Sequence, residues 1–208
     1  MLLMAPQGTK KLNQWLVFNF PLEFSRVMRA VLQRVARASV SVDDKVVSSI
    51  GKGVCVLVGI GVDDNEADID YMVRKLLTLR VFEDGQVMWK KNVQDLDYEL
   101  LCVSQFTLFA KTTKGIYKMN RQGYLGLFIE EVLMVEFKPG SKPDFHASMK
   151  TAEANEMYTK FLQKLGKAYK PEKIKDGVFG AMMMVDIVNE GPVTIELDSR
   201  KFSYDDRQ

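Results

Sequence analysis

Histidine and cysteine are almost missing from this chain: its 208 residues hold one His, His146, and two Cys, Cys55 and Cys102. Two cysteines exclude a disulfide scaffold and any zinc site built from several thiolates, and a single imidazole excludes a histidine-rich metal site. Long apolar runs are also missing, since no segment approaches the roughly 18 consecutive apolar residues that span a bilayer. Lys10 and Lys11 followed by Trp15-Leu16-Val17-Phe18 imitate a secretory leader, but Asn13, Asn19, Pro21 and Glu23 interrupt the run and no small-residue cleavage site follows. Net charge is scarce, with 29 basic against 27 acidic residues. Residues 1–27 hold three basic residues and one acidic, which accounts for the whole +2. Global charge therefore gives no argument for nucleic-acid binding, and any such binding must come from a local site. The common catalytic signatures are missing as well: G-x-G-x-x-G before a helix, the P-loop, H-E-x-x-H and G-x-S-x-G. His146 has no Ser or Cys elbow to serve and reads as a loop histidine bonded to backbone, so a catalytic triad is not expected.

What is present is an ordinary folded composition, 47% hydrophobic and 27% charged, of a length suited to one domain. Cys55 and Cys102 lie in apolar runs, where buried unpaired thiols are common, and this points to the reducing cytoplasm. The regular pattern starts at Met28. Arg29–Val35 reads as a strand, and Ser39–Val42 and Val46–Ile50 alternate around Asp43-Asp44-Lys45 as a hairpin. Val54–Ile60 is a continuous apolar run, as in a buried central strand. Ile69, Met72, Val73, Leu76 and Leu77 form one face of a helix that Asp63, Asp64 or Asn65 can cap. Arg80–Phe82 and Gln86–Trp89 flank Asp84-Gly85 as a second hairpin. Glu99–Ser104 is another buried strand. After Thr151 a second helix carries Ala154, Met157, Tyr158, Phe161, Leu162 and Leu165, with Gly166 as a terminator. Strands over Gly180–Val188 and Val193–Leu197, joined by Asn189–Pro192, close the pattern. Strands outnumber helices, so the class is α+β with a mostly antiparallel or mixed sheet.

Two segments carry candidate chemistry. In Ser104-Gln105-Phe106-Thr107-Leu108 an apolar strand turns polar at its end. Hydroxyls, amides and freed backbone N–H groups there could line a pocket and hold an oxyanion; the alternative is an alternating strand with Gln105 and Thr107 facing solvent. Asn189-Glu190-Gly191-Pro192-Val193-Thr194 places Gly-Pro between two strands. An X-Pro bond can be cis and fix its carbonyls tightly; the alternative is an ordinary hairpin turn.

Five motifs now stand in order: Met28–Val35, Ser104–Leu108, Lys142-Pro143-Asp144-Phe145-His146, Phe179-Gly180-Ala181-x-Met183-x-Val185, and Asn189-x-Gly191-Pro192-Val193-Thr194. Together they resemble the D-aminoacyl-tRNA deacylases, the D-Tyr-tRNA(Tyr) deacylase family, and its eukaryotic cytosolic branch above all. The resemblance implies a barrel-like single domain with two main helices, working as a homodimer without metal or cofactor. It implies hydrolysis of the ester between a D-amino acid and the 3′ end of tRNA, and of glycine mischarged on tRNA(Ala), with no membrane partner. It assigns catalysis to Ser104, Gln105, Phe106 and Thr107, with Thr107 positioning rather than attacking. It assigns substrate binding to Asn189, Gly191 and Pro192, whose cis bond enters the partner's site and excludes L side chains, and to Arg34, which orients that corner. Phe179, Gly180, Ala181 and Met183 would receive the terminal adenine. An alternative on the same fold is a nucleic-acid-binding or scaffold protein linked to DNA replication, which the short, nearly neutral 200–208 tail does not favour.

The domain organisation expected from this likeness is a 28–199 deacylase domain with a 1–27 extension, a 116–139 insertion and the 200–208 tail. The insertion is too apolar for a free loop. It reads as an element docked on the core, as a partner-binding or lid element, or as sequence retained in the reading frame. The last is favoured because both additions end at family boundaries.

Overall fold

The computed structural model describes residues 28–117 and 135–199. The 1–27 extension, the 200–208 tail and residues 118–134 of the insertion lie outside them. The elements are β1 (Arg29–Val42), β2 (Lys45–Ile50), β3 (Gly53–Gly59), α1 (Glu66–Thr78), β4 (Phe82–Asp84), β5 (Val87–Lys91), β6 (Glu99–Ser104), β7 (Lys111–Tyr117), β8 (Val135–Asp144), α2 (Thr151–Ala168), β9 (Ile174–Asp176) and β10 (Met184–Asp198). Six strands make one mixed sheet in the order β10-β1-β3-β6-β9, with β2 paired to β1. β3–β6 and β6–β9 are parallel and the rest of the sheet is antiparallel.

The continuous apolar runs follow from burial on both faces of this sheet. From β3, Val54, Val56 and Val58 point to one core and Cys55 to the other. From β6, Leu100 and Cys102 join the first core, while Leu101 and Val103 join the second. The helices cover the first face, through Ile69, Met72, Val73, Leu76 and Leu77 of α1 and Tyr158, Phe161 and Leu165 of α2. The second face closes because the sheet curls on itself into a nearly closed barrel. β1 makes the curl possible. Ala30 and Leu32 face the helices, a register shift follows between Gln33 and Arg37, and Val35, Ala38 and Val40 face the barrel interior. Alternation already puts Val35 on the face opposite Leu32, and the irregularity beyond Val35 puts Ala38 and Val40 on the same side as Val35, so one 14-residue strand serves both cores.

Local chemistry sets the ends. Asn65 caps α1: its side chain accepts from Ala67 N at 2.9 Å, and Asp68 Oδ2 accepts from Asn65 N at 3.0 Å. Asp43 and Asp44 turn the first hairpin with positive φ. Three sequence expectations need correction. Gly166 does not end α2 but lies buried inside it, and the helix runs on to Ala168. The two closing strands are one bent strand, β10, because both halves pair with β1. β9 is an additional strand, too short at three residues to show a period. The ends of the insertion are paired, Ile116 with Glu136 and Tyr117 with Val135, in the β7–β8 ladder. Among the described residues, no helix is long and apolar enough to cross a membrane.

Candidate active site

A cavity of about 720 Å³ opens where β3 and β6 end, well within the range of small-molecule sites. Val58, Ile60 and Val103 supply apolar wall, Ser104, Gln105 and Phe106 one rim, Phe145 another, and Phe179 to Met183 a third.

The Ser104–Leu108 segment is not an alternating strand. β6 stops at Ser104, and Phe106–Phe109 forms a single 3-10 turn. The last ladder bond is Gln105 N to Val58 O at 2.7 Å; thereafter Leu108 N donates to Gln105 O and Ala110 N to Thr107 O. The first amides of a helical turn have no acceptor within it. Phe106 lines the cavity, and Thr107 follows it in the turn without reaching the lining. The Thr107 hydroxyl accepts from Gln105 Nε2, which fits positioning better than attack.

The turn is held from behind. Arg29 Nη1 donates to Leu108 O at 3.0 Å, its guanidinium lies 5.2 Å from the Phe109 ring centroid, and it pairs with Asp198. Gly59 makes room: a Cβ there would lie 3.0 Å from Phe109 Cε2 and 3.1 Å from Gln105 O. Neither residue stood out by sequence, although Arg29 lies inside a quoted motif. Above the turn, Phe106 is 58% exposed and meets the Phe145 ring edge-on at 5.1 Å. Phe145 is carried by a loop that Asp144 braces. Its carboxylate accepts from the His146 backbone N at 2.9 Å and from the His146 ring, and these bonds hold Asp144 below the ordinary carboxylate range. His146 thus bonds a carboxylate and not the backbone. On the third rim, Phe179 rests on the Tyr158 ring at 5.6 Å, so it both lines the cavity and packs on the core.

The Gly191–Pro192 corner is elsewhere. Residues Glu190 to Val193 stand opposite the single residue Arg34, between the pairs Asn189–Val35 and Thr194–Gln33. The corner is exposed, and its peptide bond is cis. Arg34 is 5% exposed and donates from Nε to Glu190 O at 3.0 Å and from Nη1 to Val81 O at 2.8 Å and Glu83 Oε2 at 3.1 Å. Val35 pairs with Gly53, and Gly53 lies five residues of β3 from the cavity wall at Val58. That is about 17 Å of strand. Within one chain, Ser104–Phe106 and Phe179–Met183 come together at the cavity; Arg34, Asn189, Gly191 and Pro192 come together at the corner, away from it.

The two cysteines are not candidate nucleophiles. Burial pushes the Cys55 thiol up to about 11 and the Cys102 thiol higher, so neither is a thiolate at neutral pH. Among the described residues, no three His, Cys, Asp or Glu side chains converge as metal ligands. The chemistry on hand is orientation and backbone hydrogen bonding, which suits an ester already activated for hydrolysis.

Comparison with known proteins gives the same direction. The sequence profile of D-Tyr-tRNA(Tyr) deacylase matches residues 31–124 and 119–198, in two pieces that meet inside the insertion. A D-aminoacyl-tRNA deacylase of Drosophila melanogaster is 48% identical over 181 residues, which are 87% of this chain and 98% of that protein. Human D-aminoacyl-tRNA deacylase 1 is 49% identical over 173 residues, 83% of this chain and 70% of the human protein. A solved structure titled c-Myc DNA Unwinding Element Binding Protein superposes with a TM-score of 0.67 at 48% identity, covering 83% of this chain and 99% of that one.

Proposed function

The chain belongs to the D-Tyr-tRNA(Tyr) deacylase family and is a hydrolase of D-aminoacyl-tRNA; from that premise we propose how this site selects and cleaves its substrate. The observation that supports the reading is the 3-10 turn at the end of β6, which starts at the cavity with Phe106; in this reading the Phe106 and Thr107 amides are the oxyanion donors. The terminal adenine lies against Phe179, Gly180, Ala181 and Met183, where an aromatic face and close backbone suit a base. The ester carbonyl then reaches the two amides. As water attacks, its oxygen gains charge and the N–H bonds strengthen. Ser104, Gln105 and Thr107 keep the turn and the ester in place. The substrate's own 2′-OH orients the water, so no protein base is required.

Chiral selection comes from a second copy. The exposed Gly191–Pro192 corner, held by Arg34 and flanked by Asn189, enters the partner's cavity and faces the substrate Cα with rigid carbonyls. An L side chain collides with them, whereas the hydrogen of a D-residue or of glycine fits. Glycine on tRNA(Ala) is therefore a second substrate. The working unit is a homodimer, tRNA is gripped at its acceptor end, and the enzyme acts in the cytoplasm without metal. The DNA-linked reading is less well supported, because described lysines such as Lys164, Lys170 and Lys173 are paired with Glu66, Asp70 and Asp97.

The deciding assay offers purified protein D-Tyr-tRNA(Tyr), Gly-tRNA(Ala) and L-Tyr-tRNA(Tyr). Release from the first two alone is expected. Equal release from all three would overturn chiral exclusion, and a sedimentation profile of a monomer that remains active would overturn the shared site.

A further inference from the structure

Three consecutive methionines, Met182, Met183 and Met184, follow the tight Val178–Ala181 turn, in which Gly180 has φ +76°. They differ sharply in environment. Met183 packs inward, its sulfur close against Gly177 and its neighbours in the barrel core. Met182 is 92% exposed while lining the cavity, and Met184 is 66% exposed on β10. Met182 is the most exposed methionine among the described residues; Met88 on the β4–β5 hairpin is 47% exposed, and Met28 and Met72 are fully buried. A thioether is soft and oxidisable, and its rate of oxidation follows the access of the oxidant to sulfur.

We propose that Met182 is a reversible oxidation site whose conversion to the sulfoxide weakens substrate binding in the neighbouring cavity. The oxidant is a peroxide. The methionine sulfur attacks one peroxide oxygen, an S–O bond forms as the O–O bond breaks, and hydrogen peroxide leaves as water. Sulfur loses two electrons and peroxide gains them. A dithiol-dependent sulfoxide reductase reverses the change, releasing the oxygen as water and oxidising the dithiol to a disulfide. Oxidation places a strongly hydrated S–O dipole beside the rim where Phe179 and Met183 meet the ligand. Closing an apolar ligand over that dipole strips its water, and affinity falls. This effect on binding rests on the reading of the cavity as the aminoacyl-adenosine site; the reactivity of Met182 does not.

The test is graded hydrogen peroxide on the intact protein, followed by peptide mapping by mass spectrometry. Affinity is measured in parallel for an amide-linked, non-hydrolysable analogue of the D-tyrosyl 3′-adenosine end. Met182 and Met184 should oxidise before Met88, with Met28 and Met72 last. Wild-type affinity should fall about tenfold in step with the Met182 sulfoxide, and reductase with dithiol should restore it. Met182→Leu, compared with its own untreated sample, should show no such fall, while Met184→Leu should still show it. Met182 oxidising no faster than Met72, or wild type and Met182→Leu losing affinity equally, overturns the proposal. Untreated protein that binds the analogue yet releases no D-tyrosine from tRNA overturns the deacylase reading instead and leaves the map of reactive methionines standing.

Discussion

Replacing Arg34 by methionine should cost about 4 kcal/mol of folding stability, a figure built from the donors it removes. The change roughly preserves volume but deletes the bonds to Glu190 O and Val81 O, both short and sheltered. Hydrogen bonds from a charged donor contribute about 1.5–3 kcal/mol each, and here one bond is buried and the other partly buried. The third partner, Glu83, is partly exposed, so that pair adds less than about 1 kcal/mol. Arg34→Lys keeps the charge, but its compact ammonium cannot match the fork, and it should lose about 2 kcal/mol. Glu83→Gln serves as a control and should stay within about 1 kcal/mol of the wild type. Urea unfolding followed by fluorescence and circular dichroism measures all three. With a slope of about 2 kcal/mol per molar, Arg34→Met should move the midpoint by about 2 M. The same variant should release L-tyrosine from L-Tyr-tRNA(Tyr), because the corner it anchors is no longer held. If Arg34→Met unfolds within about 1 kcal/mol of the wild type and still rejects the L-substrate, Arg34 is not the anchor of the corner.

Three other outcomes are expected. Gly59→Ala should press on Phe109 and the Gln105 carbonyl; a shift of a few tenths of an ångström in the donor turn should lower kcat about tenfold with little change in KM, read from steady-state deacylation of D-Tyr-tRNA(Tyr). Thr107→Val should reduce the rate by about tenfold or less, whereas a loss beyond about 10⁴-fold would make Thr107 the nucleophile and contradict the positioning role. Asp97 is held at about 2, below its ordinary 3.8, first by Lys170 and then by Lys173 and Tyr169. Its contribution to stability is therefore present above pH 4 and lost as pH falls toward 2. Asp97→Asn should flatten that part of the stability profile measured by thermal melts, with only a small effect at neutral pH because the cluster is at the surface.

Much of this architecture is readable in the residues because burial writes periods into sequence. Val54–Ile60 and Glu99–Ser104 are apolar on both faces since each strand separates two cores, and the α1 and α2 stripes mark the faces laid on Leu100, Cys102 and Val58. Ser104–Phe106 and Phe179–Met183, from two of the motifs, line one cavity. What escaped was decided by contacts remote in sequence. Nothing in Gln105 announces that its amide makes the last ladder bond to Val58, so the residues leave open whether the strand ends there or continues to alternate. β10 looked like two strands because Gly191–Pro192 interrupts the alternation, yet Arg34 on β1 bridges the gap. Gly166 reads as a stop signal, but it lies inside α2, where a Cβ would make only ordinary contact with Pro171. The separation of the corner from the cavity is set by strand register, which motif order does not encode.

The clamp made by Arg29 has a thermodynamic consequence. Arg29 is the first residue of β1, pairs with Asp198 near the end of β10, and also grips the carbonyl of Leu108. Strand ends open by local fluctuations that cost far less than global unfolding. Opening of the β1–β10 terminus therefore releases the donor turn while both cores stay folded. Amide hydrogens of Leu108 and Ala110 should exchange with those of Ser199 as one cooperative unit, well before Val56 or Leu101. Inactivation by mild heat or denaturant then begins at the edge of the sheet, as a change in the site's own local equilibrium, and precedes the melting that optical probes record.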